Sequence, residues 1–400
     1  MALVGTAAIP SFLTRAAWGT ASGSSSKRLV VIFQRGAADG LNIVVPHGEP
    51  SYYAMRPSIS TPRNQVIDLN GFFGLHPSLA PFKPLWEQGH LAIVHAAGSP
   101  DTTRSHFDAQ DYMESGTPGV KSTTDGWLNR TLQTESAAND VPFRAVALGT
   151  SLPRILSGKA SAIAVSNVNG FSIAGGNPAA APLGNTFEAM YAQSVDAVLH
   201  GTGQETFEAV KMLKSTDPQR YTAAPGANYP KGRFGDALRQ TAQLIKANLG
   251  VQIAFTDIGG WDHHVNEGAV EGQLANVLRE FSQSIAAFWT DLGALGEDTI
   301  IITMSEFGRT ARENGNRGTD HGHANVMFVL GGPVRGGRVY GRWPGLDPVQ
   351  LNEGRDLALT TDFRRVIGEA VALHLGNSHL STVFPGFDNS PQQFLRYISG

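Results

Sequence analysis

Residues 299–310 read TIIITMSEFGRT, an apolar run that ends in a polar, glycine-containing turn. A short continuous apolar run closed by a turn is typical of a strand that is buried on both faces, as strands of parallel sheets are. The same pattern recurs at LVVIF (29–33), LAIVH (91–95), VQIAFT (251–256) and VMFVL (326–330). The sequence therefore predicts a sheet whose strands each end in a polar or glycine-rich turn.

Segments with helical spacing of apolar residues lie between these strands, for example at 79–88, 233–249 and 271–292. Alternating strands and helices predict an α/β fold with a mostly parallel central sheet that helices cover on both faces. Residues 28–396 are expected to form a single domain. The stretch at about 170–249 has no strong strand signal, so we interpret it as a helix-rich insertion or lid.

Composition excludes several classes of protein. Hydrophobic residues make up 41% and charged residues 16%, which suits a globular core, and the net charge of −3 gives no basic field for nucleic acid. There is no Cys, so disulfides, thiolate metal sites and a Cys nucleophile are excluded. No apolar run reaches the roughly 18 residues of a transmembrane segment.

The N-terminal residues resemble the late part of an export signal. Residues 2–18 are mildly apolar, rich in small residues and free of acidic side chains, and a Gly/Ser/Ala stretch follows at 19–26. This pattern is typical of a secretory signal near its cleavage site. We therefore interpret residues 1–27 as a signal-peptide remnant, and a disordered tail is the alternative.

Three polar segments follow or precede the C-terminal strands: GGWDHH (259–264), SEFGRT (305–310) and TDHGHA (319–324). Ligands of parallel sheets bind at the carboxyl ends of the strands. Imidazole together with carboxylate suits zinc, whereas sets richer in carboxylate suit manganese, calcium or magnesium. The candidate metal ligands in these segments are Asp262, His264, Glu306, His321 and His323. The alternative is a structural hydrogen-bond network.

Two earlier segments supply further candidates. Asp39 closes the first strand and could ligate a metal, or it could belong to an ordinary Asp-Gly turn. Ser105 is a candidate nucleophile and His106 a candidate ligand or base, although Ser105 could equally cap the helix that follows. Arg35 and Arg309 are candidates for clamping an oxyanion, with surface ion pairing as the alternative.

The motifs RGAADGLN (35–42), RSHFDAQDYMESG (104–116), DGWLNR (125–130), GGWDHH, MSEFGRT and TDHGHANVMFVLGG resemble the DUF1501 family. The resemblance covers about residues 28–396. Members of this family are usually exported bacterial proteins that use the Tat route. The resemblance therefore implies a periplasmic or extracellular protein.

The DUF1501 family is in turn similar to the alkaline phosphatase/sulfatase superfamily. That similarity implies a three-layer α/β/α sandwich and a metal-dependent hydrolase of phosphate or sulfate esters. It implies Ser105 as nucleophile, and Arg35 or Arg309 would then steady the ester oxygens. The implied metal ligands are Asp39, Asp262, His264, Glu306, and His321 or His323.

Phe307 departs from the superfamily pattern, because it stands where the superfamily has a metal-binding His. The phenyl ring cannot ligate a metal. Three alternatives follow: His321 or His323 compensates, one metal binds instead of two, or catalysis has been lost. In the last case the chain is a non-catalytic exported binding protein, with or without bound metal.

Overall fold

The computed structural model describes residues 27–134, 141–168, 211–213, 216 and 218–399. Its β-strands, in chain order, are β1 (Arg28–Gln34), β2 (Val44–Val45), β3 (Ile67–Asp68), β4 (Gly74–Leu75), β5 (Leu91–Gly98), β6 (Ala145–Leu148), β7 (Ile163–Val165), β8 (Ile253–Ile258), β9 (Thr299–Ser305), β10 (Asn325–Gly331), β11 (Arg338–Tyr340) and β12 (Thr361–Asp362).

The main sheet has nine strands, in the order β11-β5-β10-β9-β1-β8-β6-β7, with β12 also paired to β5. Strand β10 runs antiparallel to both of its neighbours, and the other pairs in this sheet are parallel. Strands β2, β4 and β3 form a separate small sheet. The prediction of an α/β protein with a large, mostly parallel sheet is confirmed, and the antiparallel β10 adds a detail that apolar runs alone do not encode.

The α-helices that lie wholly within the described residues are α1 (Gly40–Ile43), α2 (Pro50–Met55), α3 (Lys83–Glu87), α4 (His106–Ser115), α5 (Trp127–Gln133), α6 (Arg233–Lys246), α7 (Gln273–Leu292), α8 (Phe363–Glu369) and α9 (Leu380–Val383). The 3-10 turns are Pro77–Phe82, Arg154–Leu156, Pro218–Arg220, Gly293–Asp298 and Pro391–Gln393, and a π turn spans Ala370–His374.

The central strand β1 is buried on both faces, which explains its unbroken apolar sequence. Successive side chains of a strand point to opposite faces. Val30 and Ile32 belong to a hydrophobic cluster that includes residues of α6 and α7. Val31 and Phe33 belong to a second cluster with residues of α5, α8 and α9. Each such side chain contributes roughly 1.5–3 kcal/mol by leaving water, so polar residues are restricted to the strand ends.

Strand β1 lies between β8 and β9, and all three run in the same direction. The turns that follow them therefore meet at one edge of the sheet. The loop before β10 reaches this edge through a close backbone contact between Gly308 and Gly322. Gly308 N–H donates to His323 O and Gly322 N–H donates to Gly308 O, both at 2.8 Å. A Cβ on Gly308 would lie 1.9 Å from Ala324 O, so only glycine permits this approach.

Two parts of the sequence interpretation lie outside the described residues. These are residues 1–26 of the signal remnant interpreted at 1–27 and, within the insertion predicted at about 170–249, residues 170–210, 214, 215 and 217. Helix α6 occupies the later part of that stretch. Among the described residues, no helix combines the length and the apolar character needed to cross a membrane.

Candidate metal centre

Three imidazoles converge at the carboxyl edge of the sheet. His106 is the first residue of α4, His264 lies in the loop after β8, and His321 lies in the loop before β10. Nε2 of His321 is 3.0 Å from Nε2 of His106 and 3.0 Å from Nε2 of His264. The three rings therefore present the same nitrogen to a common point.

The carboxylate of Asp262 completes this cluster. Its Oδ1 lies 3.0 Å from His264 Nε2 and 3.3 Å from His321 Nε2. Its Oδ2 lies 3.6 Å from His106 Nε2. One ligand atom each from His106, Asp262 and His321 lies within 4.8 Å of the other two. The contacts of His264 with Asp262 and His321 bring a fourth side chain to this cluster.

The hydrogen bonds of the Nδ1 atoms determine the tautomer of each of the three rings. Each Nδ1 faces an oxygen that can only accept: Glu306 Oε1 at 2.9 Å for His106, Asp320 Oδ1 at 3.1 Å for His264 and Arg104 O at 2.9 Å for His321. Each Nδ1 must therefore carry the proton of its neutral ring, which leaves a lone pair on each Nε2. Three lone pairs and a carboxylate facing one another repel unless a cation lies between them.

The donor set and its spacing fit a small divalent cation. Tetrahedral zinc with bonds of about 2.0–2.1 Å separates its ligand atoms by roughly 3.3 Å, and the separations from His321 Nε2 and from the Asp262 carboxylate to the other ligand atoms span 3.0–3.6 Å. Imidazole-rich sets suit zinc better than magnesium or calcium, which prefer oxygen. Metal-bound His side chains commonly donate their second N–H to a carboxylate or a backbone carbonyl, as all three do here.

The centre is open to solvent on one side. Side-chain exposure is 25% for His106, 43% for Asp262, 39% for His264 and 23% for His321. Structural zinc sites are closed, whereas catalytic sites keep a position for water or substrate. A small molecule can therefore reach the point at which these side chains converge.

Neighbouring charges favour a cation at this point. The hydrogen bond that His106 donates to Glu306 raises the pKa of His106, against the opposing effect of burial. A carboxylate beside Nδ1 stabilises positive charge on the ring, whether a proton or a metal ion supplies it at Nε2. Burial acts to raise the pKa of Asp262, but Arg309 and the nearby imidazoles outweigh it and hold that pKa below its usual range, so the carboxylate is ionised.

Both arginine candidates are engaged by protein groups. Arg309 is buried, and it donates to Asp262 Oδ1 at 2.6 Å and to the hydroxyl and carbonyl oxygens of Thr319. Arg35 donates to Asp257, Gln110 and Glu114, and its guanidinium lies over the ring of Phe33. Arg309 therefore holds the carboxylate of the centre.

Asp39 is engaged in a buried network. Its Oδ1 accepts from Leu41 N–H and caps α1, and its Oδ2 accepts from Arg56 at 2.5 Å. Burial acts to raise the pKa of Asp39, but Arg56 outweighs it and holds the pKa low. Beside them, burial and the charge of Asp39 raise the pKa of Glu267 well above its usual range. The buried Arg56 is thus already the counter-ion of this carboxylate pair.

Glu306 is fully buried behind His106, where Oε1 faces His106 Nδ1. Its neighbour Phe307 is buried as well. The Phe307 ring lies 5.0 Å from the ring of His106 and 5.1 Å from that of His321, measured between centroids. Phe307 thus forms an apolar wall against two of the imidazoles.

Ser105 and His323 have other surroundings. Ser105 is exposed and caps α4, with its Oγ 3.5 Å from Asp108 N. His323 is buried, and its backbone carbonyl accepts from Gly308. Burial lowers the pKa of the His323 ring, with smaller effects from the charges of Asp356, which raises it, and Arg104, which lowers it. Only His321 of this pair joins the cluster.

Three residues that support the cluster from behind are not among the candidates that the sequence predicts. Gln110 donates to Glu306 Oε1 at 2.9 Å, Asp320 accepts from His264, and Thr319 holds Arg309. Gln110 lies four residues after His106, which places both on one face of α4. That spacing was the available signal, since Asp320 and Thr319 are only sequence neighbours of His321.

Comparison with known proteins gives one family and distant structural similarities. No curated protein matches the chain. The lipoteichoic acid synthase LtaP from Listeria monocytogenes is similar over 77% of this chain and 66% of its own, at 9% identity and a TM-score of 0.33. The PsFucS1 sulfatase from Pseudoalteromonas sp. is similar over 98% of this chain and 74% of its own, at 13% identity and a TM-score of 0.36. Residues 26–379 match the model of a protein family of unknown function, and the chain therefore belongs to the DUF1501 family.

Proposed function

We propose that His106, Asp262, His264 and His321 hold one divalent metal ion, zinc by preference, and that this centre promotes hydrolysis of phosphate or sulfate esters. One observation carries the proposal: Nε2 of His321 lies 3.0 Å from Nε2 of both other imidazoles, and the Asp262 carboxylate lies 3.0–3.6 Å from all three. Asp39 and Glu306 are left out of this ligand set because their carboxylates accept from Arg56 and from His106 Nδ1, and His323 because the contacts among the four side chains do not include its ring.

The surroundings of the centre support an anionic substrate. His106 is the first residue of α4, so the amino end of that helix lies at the centre. The positive end of a helix dipole and the free N–H groups of the first turn favour an anion. When bound, the metal ion would polarise an ester oxygen and lower the pKa of a water molecule.

Residues around the metal ligands have positioning and nucleophilic roles in this proposal. Arg309 orients Asp262, while Phe307 packs against two imidazoles and limits how far they can turn. Ser105 stays the predicted nucleophile, because its exposed hydroxyl precedes His106 and makes only a long capping contact. An activated water is the alternative nucleophile.

The fold proposal is a three-layer α/β/α sandwich, supported by the two hydrophobic clusters on opposite faces of the main sheet. Export to the periplasm or beyond, by the Tat route, is proposed from the resemblance to exported proteins. The helix-rich insertion at about 170–249 stays a prediction.

Turnover of aryl phosphate, phosphodiester and sulfate esters tests the hydrolase proposal. Wild type loaded with Zn²⁺ or Mn²⁺ is compared with His264→Ala and with His379→Ala, a matched change at an exposed His outside the centre. We expect activity in wild type and in His379→Ala and a loss of at least 100-fold in His264→Ala. Equal rates in all three proteins would contradict the proposal.

A metal-holding protein without turnover is the second candidate, and the buried Phe307 in the centre's wall favours it. In that case zinc would bind in wild type and be lost in His264→Ala, with no ester hydrolysed by either protein.

A further inference from the structure

Glu306 is surrounded by hydrogen-bond donors from three parts of the chain. Its Oε1 accepts from Gly36 N–H at 2.8 Å, from His106 Nδ1 at 2.9 Å and from Gln110 Nε2 at 2.9 Å. Its Oε2 lies 3.0 Å from Ser305 Oγ. The side chain is fully buried, so these protein groups replace the water that a carboxylate would otherwise bind.

The contact with His106 places Glu306 behind the imidazole. The two nitrogens of a ring point in different directions, and the Nε2 of His106 faces His321 and Asp262. Glu306 meets the opposite nitrogen, Nδ1. A carboxylate at Nδ1 cannot reach the point toward which Nε2 is directed.

We propose that Glu306 is a positioning residue of the metal centre and not a ligand. This inference rests on the metal site proposed above. Glu306 fixes the tautomer of His106 with the proton on Nδ1, and it aims the Nε2 lone pair at the cluster. Its additional bonds to Gly36 and Gln110 lock the turn after β1 and the first turns of α4 to the end of β9.

The contacts continue outward from Glu306. Gln110 donates to Glu306 through Nε2 and accepts from Arg35 Nη1 through Oε1, at 2.9 Å in each case. The Arg35 bond fixes which end of the Gln110 amide faces Glu306. Arg35 is in turn held by Asp257 at 2.6 Å and Glu114 at 2.9 Å. Arg35 therefore supports His106 through two intermediates.

Zinc binding separates a positioning role from a ligand role. Glu306→Gln keeps the shape and one acceptor oxygen for His106, whereas Glu306→Ala removes both. Removal of an outer-shell partner typically costs 10–100-fold in metal affinity. We expect a loss near 10-fold for Glu306→Gln and near 100-fold for Glu306→Ala, while His106→Ala loses more than either.

Zinc K-edge absorption and nitrogen-15 NMR of His-labelled protein supply readouts that general destabilisation would not move. We expect both Glu306 variants to retain three imidazoles and the oxygen count of wild type. The Nδ1–H signal of His106 should be preserved in Glu306→Gln and lost or exchange-broadened in Glu306→Ala. Circular dichroism checks that each variant is folded. If Glu306→Ala does not fold, the isosteric Glu306→Gln still tests the inference.

Two results would overturn the inference while leaving the metal site intact. One is loss of an oxygen ligand in Glu306→Gln with all three imidazoles kept. The other is wild-type zinc affinity in both Glu306 variants. Failure of wild type itself to bind zinc would instead refute the metal centre, so the two failures are distinguishable.

Discussion

Substitution of Asp39 by Asn tests whether this residue serves the fold or the metal. Asp39 and Arg56 form a fully buried ion pair with an oxygen–nitrogen distance of 2.5 Å. Breaking a buried pair by removing one partner typically costs about 3–5 kcal/mol, because the remaining charge is buried without compensation. Asn keeps the volume and can still accept from Leu41 N–H, so the lost charge is the main change.

The size of the stability loss in Asp39→Asn depends on the neighbouring Glu267. Its carboxyl lies in the same network, and burial together with the Asp39 charge raises its pKa. Once residue 39 is neutral, Glu267 ionises more easily and becomes the partner of Arg56. We therefore expect Asp39→Asn to lose about 3 kcal/mol of unfolding free energy, and the double variant with Glu267→Gln to lose about 5 kcal/mol.

Guanidinium chloride unfolding, followed by tryptophan fluorescence, measures these losses, and elemental analysis measures bound zinc. Asp236→Asn is the control, because its ion pair with Arg239 is exposed and worth less than about 1 kcal/mol. Asp39→Asn should keep one zinc per folded chain. Unchanged stability together with loss of zinc would refute the structural role and make Asp39 a ligand.

Three further predictions follow from single positions. His95 and His374 are buried, and burial lowers the pKa of each to about 4. In the unfolded chain these side chains take up protons below about pH 6.5, whereas in the folded chain they do not until about pH 4. The free energy of unfolding therefore falls as the pH is lowered from about 6.5 to 4, by roughly 2 kcal/mol per group at pH 5. Urea unfolding at pH 7 and pH 5 should show a drop smaller by that amount in His95→Gln, and an identical drop would contradict the assignment. Ser105→Ala should keep zinc, lose about 1 kcal/mol of stability as a lost helix cap and lose at least 100-fold in ester turnover; full turnover would make water the nucleophile. Gly308→Ala should lose soluble yield and zinc because its Cβ would meet a carbonyl at 1.9 Å, whereas Gly315→Ala, with open space around it, should retain both; retention by both variants would refute the close-approach argument.

The strands were predictable because burial on both faces requires apolar residues at successive positions, which gives a continuous apolar run in the sequence. The end of such a run also marks the polar turn that follows the strand, and Asp262, His264 and Glu306 lie in such turns. Because β1, β8 and β9 are parallel neighbours, those turns meet at one edge. This part of the candidate site follows from sequence pattern and sheet geometry alone.

The roles within the site were less predictable, because they depend on contacts between distant residues. In a plain extended segment, His321 and His323 would lie on one face, because alternate residues of a strand point the same way. The segment instead packs Gly322 against the backbone of Arg309. Asp39 forms its buried ion pair with Arg56, 17 residues along the chain, and no local sequence pattern predicts that pair.

The content and affinity of zinc in the purified protein test the metal centre most directly. Elemental analysis and chelator competition would compare wild type with His321→Ala and with His379→Ala. His321 is the informative position because its Nε2 contacts two other imidazoles and the Asp262 carboxylate. We expect one zinc per chain in wild type and His379→Ala and at least a 100-fold weaker affinity in His321→Ala. Equal affinity in all three proteins, or no binding by any of them, would contradict this expectation.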